Sequence, residues 1–165
     1  MMYLKWSAVV LLSIMTAGCG VYSFSGHGIG GISTIAVEPF DNQTAEMGIR
    51  EDLSDAIVSS LLSNRTLTIA GQANADAILR GTITGFSDNP FTFTENEEVK
   101  ENRVTITVEI KLIKPGQSEP LWEGRLSGEG SYAYLTGSLD ERQQGIDLAL
   151  EQLVIDLMNR LTSDW

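Results

Sequence analysis

Cysteine, histidine and clustered carboxylates are the side chains through which this chain could do chemistry, and each stands where a reactive role is poorly served. The sequence holds one cysteine and one histidine. Cys19 closes the stretch Thr16-Ala17-Gly18-Cys19, directly after the apolar run Trp6–Met15. That run is too short to span a bilayer as a helix, which takes about 20 residues. It fits the h-region of a signal peptide, with Lys5 as the only charge before it and small residues at the cleavage position. The chemistry expected at Cys19 is acylation: the peptidase cuts before a diacylated thiol, and the new N-terminus is acylated in turn, palmitate being a typical chain. Thr16 departs from the leucine usual three residues before the cysteine. Several acyl chains exceed the two signals that stable anchoring requires. Gly20 replaces the aspartate that holds some lipoproteins at the inner membrane, so the outer membrane is the expected location.

His27 lies among Gly26, Gly28, Gly30 and Gly31, where no rigid partner orients it as a base or a metal ligand. It reads as a solvated linker residue. Glu95, Glu97, Glu98 and Glu101 lack the ligand spacing and turn glycine of a calcium loop. No serine sits in a nucleophile elbow, and no glycine-rich turn has phosphate-loop spacing. The expectation is a binding or structural protein with no catalytic residue, no metal and no cofactor. An unrecognised hydrolase rests on nothing positive.

Charge narrows the partners. Eleven basic residues stand against 22 acidic ones, for a net charge of −11. Nucleic acid is an unsuitable partner, because binding it draws on clustered Lys and Arg. A lone cysteine rules out an intramolecular disulfide.

Periodicity supplies the elements that must carry any surface. Residues 1–18 read as signal peptide, 19–31 as a lipidated flexible tether, and 32–165 as one domain. Ile32–Glu38, stopped by Pro39, reads as a buried strand. Ile49, Leu53, Ile57 and Leu61 follow the 3.6 period and predict a helix over Ala45–Ser63, with acidic residues in its first turns. Thr66–Ala70 and Ala77–Phe86 read as strands, the second with Gly81 and Gly85 marking bulges or close packing. Arg103–Ile113 alternates cleanly, with Val104, Ile106, Val108, Ile110 and Leu112 on one face. Pro115-Gly116 turns the chain into a strand over Leu121–Tyr134, expected to break at Gly128 and Gly130, and the two strands should pair as a hairpin. Ser138 and Glu141 form a capping box. The helix they open carries Ile146, Leu150, Leu153, Leu157 and Leu161 nearly to Trp165. The order predicts an α+β fold, with two helices on one face of a mixed, mainly antiparallel sheet of about four strands, a two-layer sandwich.

Four stretches occur in a familiar order: Cys19–Phe24, Ile35–Thr44, Ala75–Ile83 and Arg103–Val108. With them the chain resembles the lipopolysaccharide-assembly lipoproteins, the LptE family, over essentially its mature length. The resemblance implies a lipoprotein that plugs a large outer-membrane β-barrel, LptD, helps assemble it and hands lipopolysaccharide to the outer leaflet. It also implies two helices on a four-stranded mixed sheet and no catalysis. Family members meet anionic lipid A phosphates with basic residues, some near the loop before the long alternating strand. Here the loop expected over Asp88–Asn102 holds Asp88, four glutamates and only Lys100, so Coulomb repulsion opposes a phosphate unless divalent cations intervene. Arg80, Arg103, Lys111 and Arg125 remain as candidate contacts, but they are outward strand residues, which mostly just solubilise a sheet, and no contact is assigned to them. Phe91 and Phe93 beside Pro90, and Tyr132 with Tyr134, either cover the sheet or face a partner, where aromatics are enriched. The expectation is that Pro90–Thr94 faces the partner. The opening strand also resembles that of periplasmic lipoproteins that regulate peptidoglycan synthesis or build secretion complexes. No segment is long enough for a secretion barrel, and composition does not separate the regulator. The order of elements after the first helix favours the lipopolysaccharide family.

Overall fold

The computed structural model describes residues 31–162. Its strands are β1 (Thr34–Val37), β2 (Asp41–Asn42), β3 (Thr68–Ile69), β4 (Ala77–Phe93), β5 (Val99–Ile113) and β6 (Pro120–Ala133). Two helices, α1 (Ile49–Asn64) and α2 (Leu139–Thr162), complete the body, with a short 3-10 turn at Gln72–Asn74. One six-stranded sheet runs in the order β3-β1-β4-β5-β6, with β2 also paired to β4. The α+β sandwich class holds, with six strands in place of about four. β3, β1 and β4 are parallel neighbours, and β4, β5 and β6 form an antiparallel meander.

The extra strands arise because the opening strand breaks and resumes. β1 pairs with Ala77–Leu79, and β2 pairs with Thr82 and Ile83 of the same strand. Between them Pro39 has no N–H to give the ladder, and Phe40 turns inward until it is fully buried. Its ring occupies the space where a side chain on Gly81 would lie, so Gly81 is a point of close packing. The bulge falls at the next glycine, where the β4–β5 register shifts between Ile83 and Gly85.

β4 continues to Phe93 and β5 begins at Val99, so the segment expected as a loop over Asp88–Asn102 is mostly paired strand. Only residues 94–98 turn, closed by Thr94 N–H donating to the Glu98 carbonyl and Glu97 N–H to that of Thr94. The apolar alternation fades there because the strands extend past the helices that bury their inner face.

α1 starts at Ile49 and not at Ala45. Asn42 Oδ1 accepts from the Thr44 N–H and hydroxyl, while its amide donates to the Glu46 carbonyl. This side-chain-held turn competes with helix, and Gly48 at φ 84° then sets the entry. The buried stripe is the expected Ile49, Leu53, Ile57 and Leu61. The strand expected over Thr66–Ala70 shortens to β3.

β6 runs unbroken through Gly128 and Gly130, which overturns the expected interruption. A Cβ on Gly128 would meet the Ala149 carbonyl oxygen at 1.9 Å, and one on Gly130 the Gly145 carbonyl oxygen at 2.1 Å. The glycines let α2 lie directly on the strand. Ser138 and Glu141 form the expected capping box, with Glu141 N–H donating to Ser138 Oγ at 3.2 Å. Leu153, Leu157 and Leu161 of α2 meet Val104, Ile106, Val108, Ile110 and Leu112 in one core. Among the described residues no helix is long and apolar enough to cross a membrane. The expected signal peptide and nearly all of the tether lie outside the described residues.

Candidate binding surfaces

Strand alternation leaves one face of the sheet without helices, and Arg80, Arg103, Lys111 and Arg125 stand on it as expected. Each is already engaged. Arg80 Nη2 donates to Glu38 Oε1 at 2.8 Å. Arg103 pairs with Glu129 at 2.9 Å, Lys111 with Glu123 at 3.2 Å and Arg125 with Glu109 at 2.6 Å. Between these pairs Thr107 and Ser127 share a hydroxyl hydrogen bond. Exposed pairs of this kind contribute little stability, a median of about 0–1 kcal/mol. Their effect is to make the open face a locally neutral polar ladder, so an anionic ligand would have to displace a glutamate from every cation named.

The far end of the β4–β5 hairpin is different. Phe91 and Phe93 are 45% and 56% exposed. The Arg103 guanidinium lies over the Phe91 ring, 3.3 Å from its centroid, which holds that ring in place while its other side stays open. Tyr134 N–H donates to the Lys100 carbonyl, bringing the end of β6 to the same place. Met47, Tyr134, Leu135 and Leu139 are exposed too, and all belong to this end of the body. Sequence reasoning singled out Phe91 and Phe93 but missed Met47, Leu135 and Leu139, because a lone apolar residue in a turn carries no period. Glu95, Glu97 and Glu98 line the turn, while Glu101 Oε2 accepts from the Thr92 hydroxyl. Among the described residues no three His, Cys, Asp or Glu side chains are placed to hold a metal.

Beneath this apolar end lies a polar network. Arg142 in the first turns of α2 donates to both Glu46 oxygens, at 2.8 and 2.6 Å, and to Asp88 Oδ2 at 3.1 Å. Tyr132 Oη donates to Asp88 at 3.0 Å, and Asn102 Nδ2 donates to Tyr132 Oη at 3.1 Å. The hydrogen bonds from Arg142 hold the Glu46 carboxyl below its usual range, against an opposing push from burial. Burial raises the Tyr132 phenol. The network ties α2 to β4 and to the segment before α1. Its signal was present in the sequence: Asn102 continues the inward row of Val104–Leu112 one step too far, and Tyr132 does so on β6.

Two of the stretches that carried the family resemblance, Ile35–Thr44 and Ala75–Ile83, hold the body together. Asp76 accepts from the Ser33 N–H at 3.0 Å and, from its other neighbours, from the Thr34 N–H and Ser33 hydroxyl at 2.9 Å. Those bonds, the Ser33 amide first, hold its carboxyl far below the ordinary carboxylate range. Phe40 and Asn42 serve the strand break and the turn described above. Cys19 and His27 lie outside the described residues.

Several solved structures share this fold at low identity. Protein XCC0632 from Xanthomonas campestris matches with a TM-score of 0.59 and 13% identity, over 76% of this chain and 81% of its own. The hypothetical protein CT253 from Chlamydia trachomatis matches at 0.56 and 12%, over 78% and 94%. A minor lipoprotein from Acinetobacter baumannii matches at 0.53 and 16%, over 79% and 90%. No curated protein sequence matches the chain. The family model described as LptE, lipopolysaccharide-assembly, matches residues 32–161, from the start of the core to the last turn of α2. The chain belongs to the LptE family of lipopolysaccharide-assembly proteins.

Proposed function

We propose that this protein is a non-catalytic outer-membrane lipoprotein, anchored at the periplasmic face through acyl chains on Cys19, that plugs an LptD-like β-barrel and serves lipopolysaccharide transport. The observation that carries the reading is the placement of the exposed aromatic end. β1 runs parallel to β4 from Ala77, so the chain enters the body at the start of β4, and Phe91 and Phe93 lie at that strand's far end. β4 is 17 residues long, about 55 Å at roughly 3.3 Å per residue. That length exceeds the roughly 30 Å hydrocarbon thickness a barrel encloses. A body held at one end by the tether over residues 19–31 can therefore carry its apolar tip deep into a lumen. The exterior offered to the barrel along the way is the neutral polar ladder, compatible with a polar lumen. Because Arg80, Arg103, Lys111 and Arg125 are each paired with a glutamate, direct contact of this face with lipopolysaccharide phosphates is a secondary role at most, and the principal partner is the barrel.

Phe91→Ser/Phe93→Ser tests the reading. The double variant keeps its fold, since both side chains are exposed, and recovers several-fold less barrel from detergent-solubilised outer membrane than the parent chain. Unchanged recovery with a folded protein contradicts the assignment of this tip to the barrel.

A further inference from the structure

The two borders of the sheet are unequal. β3 closes one side with two residues, whereas β6 leaves 14 residues along the other. Among the described residues, no backbone hydrogen bond reaches the outer edge of β6; its ladder runs to β5 alone, and Tyr134 N–H also turns that way. A long edge is a template for another strand, and folded proteins blunt it with proline, a bulge, an inward-pointing charge, brevity, outward charges or a covering element. Past its start β6 carries only outward charges, Glu123, Arg125 and Glu129, and each is drawn into an ion pair with β5. Pro120 is its first residue, the register shift lies opposite Leu112 and Ile113, and its inward row of Trp122, Gly124, Leu126, Gly128, Gly130 and Tyr132 carries no charge.

We propose that the outer edge of β6 pairs with an extended segment of the barrel partner, adding one strand to the sheet. This rests on the barrel reading above and names the contact through which it is made. The close seating of α2 decides against a second copy joined antiparallel, which would put both helices on the same face. With Gly128 and Gly130 pressed to the Ala149 and Gly145 carbonyls, α2 lies directly over β6. A second copy so joined would bring its own α2 within about one strand spacing, 4.8 Å, whereas packed helices stand about 8–10 Å apart. A lone strand with no helix above it has room. On the helix side it would meet Leu148, which is 47% exposed and lies beside Gly130. On the open side it would continue the row Glu123, Arg125, Ser127, Glu129 and Ser131. The segment that fits alternates apolar and polar residues and brings its own unpaired backbone groups, as an extended lumenal loop or terminal segment of the barrel partner does and a strand of the closed barrel wall does not.

The test is residue-resolved amide hydrogen exchange on the full mature lipoprotein, alone in detergent and in complex after affinity purification from outer membrane. In the isolated protein, alternate amides of Trp122–Ala133 exchange quickly because only every second one donates to β5. In the complex those fast amides slow by about tenfold or more, as a new backbone hydrogen bond requires, and protection becomes continuous along the strand. A barrel that co-purifies while the alternate amides keep their free-protein rates overturns the strand pairing and leaves the barrel partnership standing. Absence of any co-purifying barrel overturns both.

Discussion

At Gly130 a single methyl group decides how close a helix can come. Its Cβ would sit 2.1 Å from the Gly145 carbonyl oxygen and 2.6 Å from the Ala149 amide nitrogen, and neither backbone atom can yield without shifting α2. Gly130→Ala is expected to destabilise the domain by about 1–3 kcal/mol, the range for overpacking a core, read as a lower urea midpoint at constant slope. An unchanged midpoint would mean that α2 rides higher on the sheet than described. Residues of this kind were only half legible in the sequence. Gly81 and Gly85 were read as close packing or bulges, and each turned out to be one of the two. Gly128 and Gly130 were read as breaks, because a glycine in a strand has the same appearance whether it ends pairing or admits a neighbour. The neighbour belongs to a helix some 15–25 positions away, outside any local pattern.

Elements were legible where burial imposes a period and illegible where side chains or free ends replace it. The stripes of α1 and α2 and the alternation of β5 appear as read. β4 and β5 overran their expected ends because Ser87, Asn89 and Asn102 pair as well as valines do once the backbone ladder is formed. α1 lost its first turn to the hydrogen-bonded turn at Asn42. The joint between elements is Arg142, which binds Glu46 ahead of α1 and Asp88 on β4. Its side chain is 30% exposed, so screening limits its worth, and Arg142→Gln is expected to cost about 1–2 kcal/mol. The variant also changes the acid response. Glu46 is held below its ordinary value of 4.5 when folded, so its contribution is complete above that value and fades as pH falls through the lower folded one. Removing Arg142 removes this contribution. The parent chain should therefore lose more stability than the variant between neutral pH and the acid side of 4.5, measured by urea titration at each pH. Equal losses would show that the network carries no pH-dependent stabilisation.

At the scale of the whole molecule, the sheet has a neutral polar face, a helix-covered face and two dissimilar ends. The layer order was readable from the sequence, and the family followed from motifs of which Ile35–Thr44 and Ala75–Ile83 secure β1, β2 and β4. The placement of Met47, Leu135 and Leu139 at the same end of the body as Phe91 and Phe93 was not readable, since it comes from three separate connections meeting at one end. That end lies opposite the point where the chain enters the body, which would give the proposed anchored wedge a leading tip. Affinity purification of the full mature chain from detergent-solubilised outer membrane tests this picture most directly. The account predicts a co-purifying β-barrel and an N-terminal peptide that begins at acylated Cys19. Recovery of the chain in the soluble fraction, unmodified and without a barrel, would contradict it.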